Sequence, residues 1–140
     1  MNTETSLFAS AIDLPILAAP AAAGFPSPAD DFAENRINLE EYLIPRRAST
    51  FLMRASGCSM QALGIHDGDL LIVDRSLPVT EGCVVIAMVD GGFAVKQWRL
   101  HAEGVVLSSA PPGRTDISLT PGQEVTIWGV VRWSIHRMES

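Results

Sequence analysis

Short apolar runs, most of them next to glycine, proline or aspartate, dominate the chain from residue 50 onward. Asp90, Gly91 and Gly92 separate two of these runs, which is typical of a β-hairpin. Six such runs with turn residues between them predict an antiparallel, barrel-like or sandwiched sheet, so the predicted fold class is mainly β. The predicted strands are Thr50–Ala55, Asp69–Asp74, Cys83–Val89, Phe93–Leu100, Val105–Ser109 and Val125–Ile135.

The chain before the sheet divides by its pattern into an arm and a linker. Residues 1–23 are rich in Ala and Leu but are interrupted by prolines, which predicts a flexible N-terminal arm. Residues 24–49 begin with an extended Phe-Pro-Ser-Pro stretch and include one short helix, Leu39–Leu43. Asn38 can cap this helix and a proline follows its end. Residues 50–140 then form the predicted folded domain.

Composition and net charge exclude several classes of function for this chain. The 140 residues suit one domain, and 47% hydrophobic against 19% charged residues predicts a packed core. A net charge of −6 repels phosphate backbones, so we expect no direct DNA binding. The two cysteines, Cys58 and Cys83, are too few for a disulfide framework or a four-ligand zinc site. We expect no metal, no cofactor and a reducing, cytoplasmic compartment.

The apolar stretch Leu7–Ala23 raises the question of a membrane or export role. Asp13 and the prolines interrupt it, so it cannot span a bilayer. Ala21–Ala23 offers the small-residue site of a secretory signal, but no Lys or Arg precedes Arg36 to supply a positive region. We therefore expect neither membrane association nor export. Instead, the run of small side chains is interpreted as a protease substrate that can lie extended in a narrow cleft.

Lys96 is the single charge on an otherwise apolar face of its predicted strand. Side chains alternate along a strand, so Ala94, Lys96 and Trp98 share that face. A lysine there can extend its ammonium past Trp98 into solvent. A lysine held in apolar surroundings instead has a lowered pKa, and its neutral amine can act as a general base near neutral pH.

Ser59 is the candidate nucleophile, in the sequence Ala-Ser-Gly-Cys-Ser-Met at residues 55–60. This stretch passes from a strand into a predicted helical turn, where outward backbone amides can form an oxyanion hole. A serine at such a turn is also commonly a helix cap. Cys58 is the rival nucleophile, but no His or Asp lies near it in sequence, so we interpret it as a small buried or half-buried side chain. The three histidines are scattered and support neither a triad nor a metal site.

These residues, in this order, resemble the UmuD family of self-cleaving DNA-damage-response (SOS) proteins, relatives of the peptidase domain of LexA-type repressors. The resemblance covers nearly the whole chain and implies a compact LexA/UmuD-like peptidase fold. It makes Ser59 the nucleophile and Lys96 the general base of a Ser–Lys dyad. It also makes Ala23–Gly24 the bond that is cut. The backbone amides of Ser59 and Cys58, at the turn, are the candidates for the oxyanion hole. The matching segments are Ala23–Gly24, Phe25–Asp30, Ala55–Met60, Asp67–Asp74 and Phe93–Lys96.

The resemblance also implies partners. In the family, a RecA-type filament on single-stranded DNA stimulates self-cleavage, and the shortened product acts as a homodimer with a Y-family polymerase in translesion synthesis. The 23 residues before Gly24 leave no room for a helix-turn-helix domain, so we expect an accessory protein and not a repressor. The long apolar run Val125–Ile135, with its two tryptophans, is the segment expected at a dimer interface.

Two other function classes stay open. One is an export-linked peptidase, since type I signal peptidases also use a Ser–Lys pair, although these normally carry a membrane anchor. The other is a non-catalytic β interaction module in which Ser59 and Lys96 are inert. The mass and N-terminus of any product formed by the purified protein would separate these classes from self-cleavage.

Overall fold

The computed structural model describes residues 13–18, 20–26, 34–113 and 115–139. The chain divides into two units between Pro45 and Arg46. Within the described residues, the first unit has two strands and one α-helix, whereas the second has seven strands and two short 3-10 helices.

The strands of the first unit form an antiparallel pair. They are β1 (Asp13–Leu17) and β2 (Glu34–Asn38). The guanidinium of Arg36 donates a hydrogen bond of 2.9 Å to the carbonyl oxygen of Asp13, whose carboxylate it also approaches to 3.4 Å. The sequence predicted neither strand, because Pro15 interrupts the first and polar residues dominate the second. Residues 1–12 of the predicted arm lie outside the described residues.

The helix α1 (Leu39–Leu43) follows β2 directly, as predicted. The side-chain oxygen of Asn38 accepts a hydrogen bond of 3.1 Å from the amide of Glu41, which confirms the predicted cap. Pro45 lies just beyond its end. Among the helices of the described residues, none has the length and apolarity to cross a membrane.

The second unit is built on one sheet of seven strands. The strand order is β3-β4-β9-β5-β6-β7-β8, and neighbouring strands are antiparallel, which confirms the mainly β prediction. The six predicted strands are present, and β8 is the addition. Its two residues are too few to give a recognisable pattern. The strands are β3 (Thr50–Arg54), β4 (Leu70–Asp74), β5 (Val84–Val89), β6 (Gly92–His101), β7 (Gly104–Ser108), β8 (Ile117–Ser118) and β9 (Val125–Ile135). The 3-10 helices are Arg47–Ser49 and Gln61–Leu63.

The hairpin of β5 and β6 has the predicted two-residue turn. Val89 pairs with Gly92, and Asp90 and Gly91 between them have φ values of 49° and 84°. Positive φ at both positions matches the right-handed twist of the flanking strands. The hairpin places Lys96, on β6, opposite Val85 on β5.

The strand β9 is central in the sheet. It pairs with β5 through residues 125–130 and with β4 through residues 130–135, so each half of the strand is hydrogen-bonded along one edge. Its expected place at a dimer interface stays a prediction. Gly129 is required within it, because a Cβ at this position would lie 2.6 Å from Cγ1 of Val73. The edge strand on the β4 side is β3.

Buried side chains cover both faces of the sheet. Alternation along β5 places Ile86 in one cluster and both Val85 and Ala87 in the other. The first cluster also contains Ala55 and Met60, which flank the predicted nucleophile. The segment carrying Ser59 is therefore anchored in the core at both ends.

Candidate active site

The chain leading to Ser59 is held by the Asp67–Asp69 loop. Ala55 is 6% exposed and exchanges two backbone hydrogen bonds with this loop, of 2.8 and 2.9 Å. The carboxylate of Asp67 accepts a hydrogen bond of 2.7 Å from the amide of Gly57. Gly57 has a φ of 91°, in the left-handed region that favours glycine. These contacts fix the backbone two residues before the candidate nucleophile.

Ser59 itself lies at the start of the predicted helical turn. Its carbonyl oxygen accepts a hydrogen bond of 2.9 Å from the amide of Ala110, and the carbonyl of Ala110 accepts one of 3.1 Å from Ala62. The residue at the cap of the following 3-10 helix is Met60, with no side-chain capping bond. The Ser59 hydroxyl makes no hydrogen bond to any described residue, so the interpretation of this serine as a helix cap is not supported.

Lys96 is buried, with 5% of its surface exposed. Its Nζ donates hydrogen bonds to the carbonyl oxygen of Thr115 at 2.8 Å and to the hydroxyl of Ser109 at 3.2 Å. The alternative in which the ammonium extends into solvent past Trp98 is therefore wrong. The amine instead ends between two protein acceptors.

Burial and a nearby carboxylate act on this amine in opposite directions. Desolvation lowers the pKa of Lys96 below its usual value, whereas the negative charge of Asp116 raises it, and the net shift is downward. The carboxylate of Asp116 accepts hydrogen bonds from the amides of Ser109 and Gly113, at 2.9 and 3.1 Å. A larger share of this lysine is therefore neutral at a given pH than of an exposed lysine.

One cleft brings Ser59 and Lys96 together. It has a volume of about 290 Å³, and its lining includes both residues. Apolar side chains form much of the remaining wall, among them Met53, Ile65 and Val95. An exposed serine and a buried lysine thus line the same cleft, and in the described residues the amine donates to Ser109 and Thr115 and not to Ser59.

The other predicted site residues have different environments. Cys58 is exposed and is not part of the cleft lining, so its expected burial is wrong. Within the described residues, the amides of Cys58 and Ser59 make no hydrogen bond, and an oxyanion could therefore be their acceptor. Ala23 and Gly24 are exposed and lie in the connection between β1 and β2.

Sequence reasoning missed the turn Ser109–Asp116, which supplies the acceptors for Lys96. The hydroxyls of Ser109 and Thr115 lie 2.8 Å apart within it. Strand pairing is the signal that could have identified this turn. A strand that pairs with β6 must end beside it, so the residues after β7 lie near Lys96. The Pro-Pro-Gly sequence instead suggested only a turn.

Two of the histidines are in contact, although the sequence suggested that all three were scattered. The rings of His66 and His136 have centroids 4.4 Å apart, and Nδ1 of His136 lies 2.7 Å from a carboxylate oxygen of Asp69. Ser134 donates to the same carboxylate at 2.9 Å. This cluster ties the end of β9 to the Asp67–Asp69 loop. In the part of the chain that the structure describes, no group of three or more His, Cys, Asp or Glu could hold a metal ion.

Comparison with known proteins identifies the family. The Peptidase S24-like family matches residues 15–132. Protein ImpA of Escherichia coli is 45% identical over 125 residues, 88% of this chain and 83% of that protein. Protein MucA of Escherichia coli is 39% identical over 118 residues, 81% of this chain and 78% of that protein. The LexA repressor of Acidithiobacillus ferrooxidans is 37% identical over 113 residues, 79% of this chain and 55% of the repressor. The chain therefore belongs to the Peptidase S24-like family, and its resemblance to the UmuD family is confirmed.

Proposed function

We propose that this chain is a self-cleaving serine peptidase that cuts its own Ala23–Gly24 bond, with Ser59 as nucleophile and Lys96 as general base. The observation that carries the proposal is the burial of Lys96, a residue that is 5% exposed yet lines the same cleft as the exposed Ser59. A charged side chain is costly to bury without a full ion pair, so a buried lysine in a cleft indicates a chemical role. Membership of a peptidase family supports the same reading.

The first step forms an acyl-enzyme. The neutral amine of Lys96 takes the hydroxyl proton of Ser59 as the serine oxygen attacks the carbonyl carbon of Ala23. The amides of Ser59 and Cys58 donate to the resulting oxyanion. The ammonium then returns the proton to the nitrogen of Gly24, the peptide bond breaks, and residues 1–23 remain on Ser59 as an ester.

The second step releases the arm. Lys96 is neutral again, so it can take a proton from a water molecule that attacks the ester carbonyl. The ester bond breaks, the proton passes to the serine oxygen, and residues 1–23 leave with a new carboxylate. Small residues flank the bond, which allows an extended backbone to approach the serine closely. Enzyme and substrate share one chain, so their effective concentration is high.

The test is product analysis of the purified full-length chain incubated at alkaline pH. We expect intact-mass spectrometry and N-terminal sequencing to find a chain beginning at Gly24. Ser59→Ala and Lys96→Ala should each remove this product, and the matched control is Cys58→Ala, which removes the neighbouring exposed thiol. Cleavage by either dyad variant would overturn the dyad, and loss of cleavage in the Cys58 variant alone would make the cysteine the nucleophile.

We further propose that self-cleavage serves SOS mutagenesis in the cytoplasm. Similarity to ImpA and MucA, together with the resemblance to the UmuD family, supports this role. The proposed activator is a RecA-type filament on single-stranded DNA, and the shortened form would act as a homodimer with a Y-family polymerase. The net charge of −6 makes protein contacts, and not DNA contacts, the expected basis of filament recognition.

Reconstitution tests these partners. A RecA-type filament should accelerate cleavage at neutral pH, whereas the recombinase without DNA should not. Sedimentation should show a dimer at micromolar concentration before and after cleavage, and the cleaved form should co-sediment with the polymerase. A monomer, or acceleration by single-stranded DNA alone, would contradict the corresponding proposal.

A further inference from the structure

We propose that Ser109 is a positioning residue for the amine of Lys96. Together with the carbonyl of Thr115, its hydroxyl binds the two hydrogens of the neutral amine and so directs the lone pair into the cleft. This inference rests on the proposed function, because a directed lone pair matters only where the amine must take a proton from Ser59.

The argument starts from the valence of the amine. A neutral lysine amine has two N–H bonds and one lone pair in a tetrahedral arrangement, whereas the ammonium has three N–H bonds. Two protein acceptors lie within hydrogen-bond distance of Nζ, the Thr115 carbonyl at 2.8 Å and the Ser109 hydroxyl at 3.2 Å. When both N–H bonds are used in this way, the lone pair occupies the remaining direction.

Ser109 is itself fixed as an acceptor. It is 4% exposed, and its amide donates a hydrogen bond of 2.9 Å to the carboxylate of Asp116. Its hydroxyl lies 2.8 Å from that of Thr115, so the single hydroxyl hydrogen can be donated there. The serine oxygen is then left with lone pairs for Nζ.

The same contact also affects the charge of the amine. A hydrogen-bond acceptor stabilises the ammonium more than the neutral amine, so removal of the Ser109 hydroxyl should lower the pKa of Lys96. The charged groups around the amine in the described residues are Asp116, which raises the pKa of Lys96, and Arg54 in the cleft lining, which donates to the Gly68 carbonyl at 3.0 Å. Neither is altered by a change at Ser109.

Loss of the Ser109 hydroxyl should slow cleavage by releasing the amine from its orientation, but should favour cleavage at lower pH by lowering the pKa of Lys96. These opposite effects on the rate distinguish positioning from a merely structural role. Ser109→Ala should reduce the maximal cleavage rate at high pH about tenfold, because loss of one hydrogen bond releases the amine from its orientation. It should also shift the midpoint of the pH–rate profile to lower pH. A loss of packing would reduce the folded fraction without moving that midpoint.

The chain supplies a matched control at the preceding position. Ser108 is 3% exposed, and its hydroxyl has no hydrogen-bond partner among the described residues. Ser108→Ala therefore removes an equally buried hydroxyl from the same strand end and should leave both the maximal rate and the midpoint unchanged. Ser109→Thr, which keeps the hydroxyl, should restore the midpoint. Ser109→Cys keeps the side-chain size with a weak acceptor and serves as the second variant if the alanine variant does not fold.

A second measurement keeps this inference separate from the proposed function. The Lys96 pKa can be followed by the pH dependence of its ¹³Cε chemical shift in Ser59→Ala protein, which should not cleave. Addition of Ser109→Ala should lower that pKa, and addition of Ser108→Ala should not. If the Ser109 and Ser108 variants titrate and cleave alike, the positioning role is overturned. If Lys96→Ala still cleaves while the titration shift is found, the proposed function fails and the Ser109 contact stands.

Discussion

The amide of Ala110 donates a hydrogen bond of 2.9 Å to the carbonyl oxygen of Ser59. The preceding residue, Ser109, accepts a hydrogen bond from Lys96. Adjacent residues of one segment therefore contact the backbone of the candidate nucleophile and the amine of the candidate base. The relative position of the two groups depends on this segment as well as on the sheet.

Self-cleavage of the full chain should accelerate as pH rises. Lys96 must be neutral to act, and burial lowers its pKa, so the acceleration should begin below the ordinary lysine value of ~10.4. The first-order rate of loss of the intact chain, measured from about pH 7 to 11, checks this. A rate independent of pH, in protein whose circular dichroism stays native, would exclude Lys96 as the titrating base.

Gly24→Asp should block self-cleavage without loss of stability. Gly24 is exposed, and a Cβ built there meets no described atom within 4 Å, so the fold can accept a side chain. In the cleft, the carboxylate would have to enter poorly solvated space beside the serine, which is costly. The measurement is product mass after alkaline incubation, with Gly24→Ala as the control that adds one carbon and should still be cut. Normal cleavage of the aspartate variant would place the cut elsewhere.

Asp67→Ala should slow self-cleavage about five- to tenfold. The Asp67 carboxylate accepts the amide hydrogen of Gly57, and without it the backbone before Ser59 is less well fixed. We expect a loss of about 1 kcal/mol in the free energy of unfolding, typical of one hydrogen bond. Urea unfolding and the cleavage rate check the two effects, with the exposed Glu103→Ala as control. Unchanged cleavage in the Asp67 variant would show that this contact does not position Ser59.

Gly129→Ala should lower the free energy of unfolding by about 1–3 kcal/mol, because the new methyl group would lie 2.6 Å from Cγ1 of Val73. Gly92→Ala is the control, since its nearest neighbour would be a backbone oxygen at 3.7 Å. Urea unfolding of both variants gives the comparison. Equal stability of the two variants would show that β4 and β9 separate at little cost.

The sheet was largely predictable because its signals are local. Buried strands such as Leu70–Asp74 are continuous apolar runs, and the Asp-Gly turn before Gly92 fixes a hairpin. The strand β1 was missed because it contains Pro15, and its pairing with β2 depends on residues about twenty positions away. Hydrophobic periodicity and turn residues are local signals, so they do not predict pairing between strands that are distant in sequence.

The part of the site that could be predicted from the sequence is the charged residue among apolar neighbours. A single lysine on an apolar strand face indicates a role, and its 5% exposure agrees with that reading. Ser109 gave no such indication, because either serine of the Ser-Ser pair could face Lys96 and only the pairing of β6 with β7 decides between them. The exposure of Cys58 likewise depends on the path of the loop that carries it. The polarity of a side chain does not predict that path.

The position of Ala23–Gly24 between β1 and β2 means that proteolysis there would alter backbone topology as well as chain length. Covalent connection now holds the five residue pairs of these strands together. A two-stranded pair this short is marginal in water once its strands belong to separate molecules, so β1 would diffuse away. The peptide groups of β2 that it covered would then be hydrated. Religation would need both a new peptide bond and re-association of a dilute fragment, so cleavage at this position would be irreversible in practice.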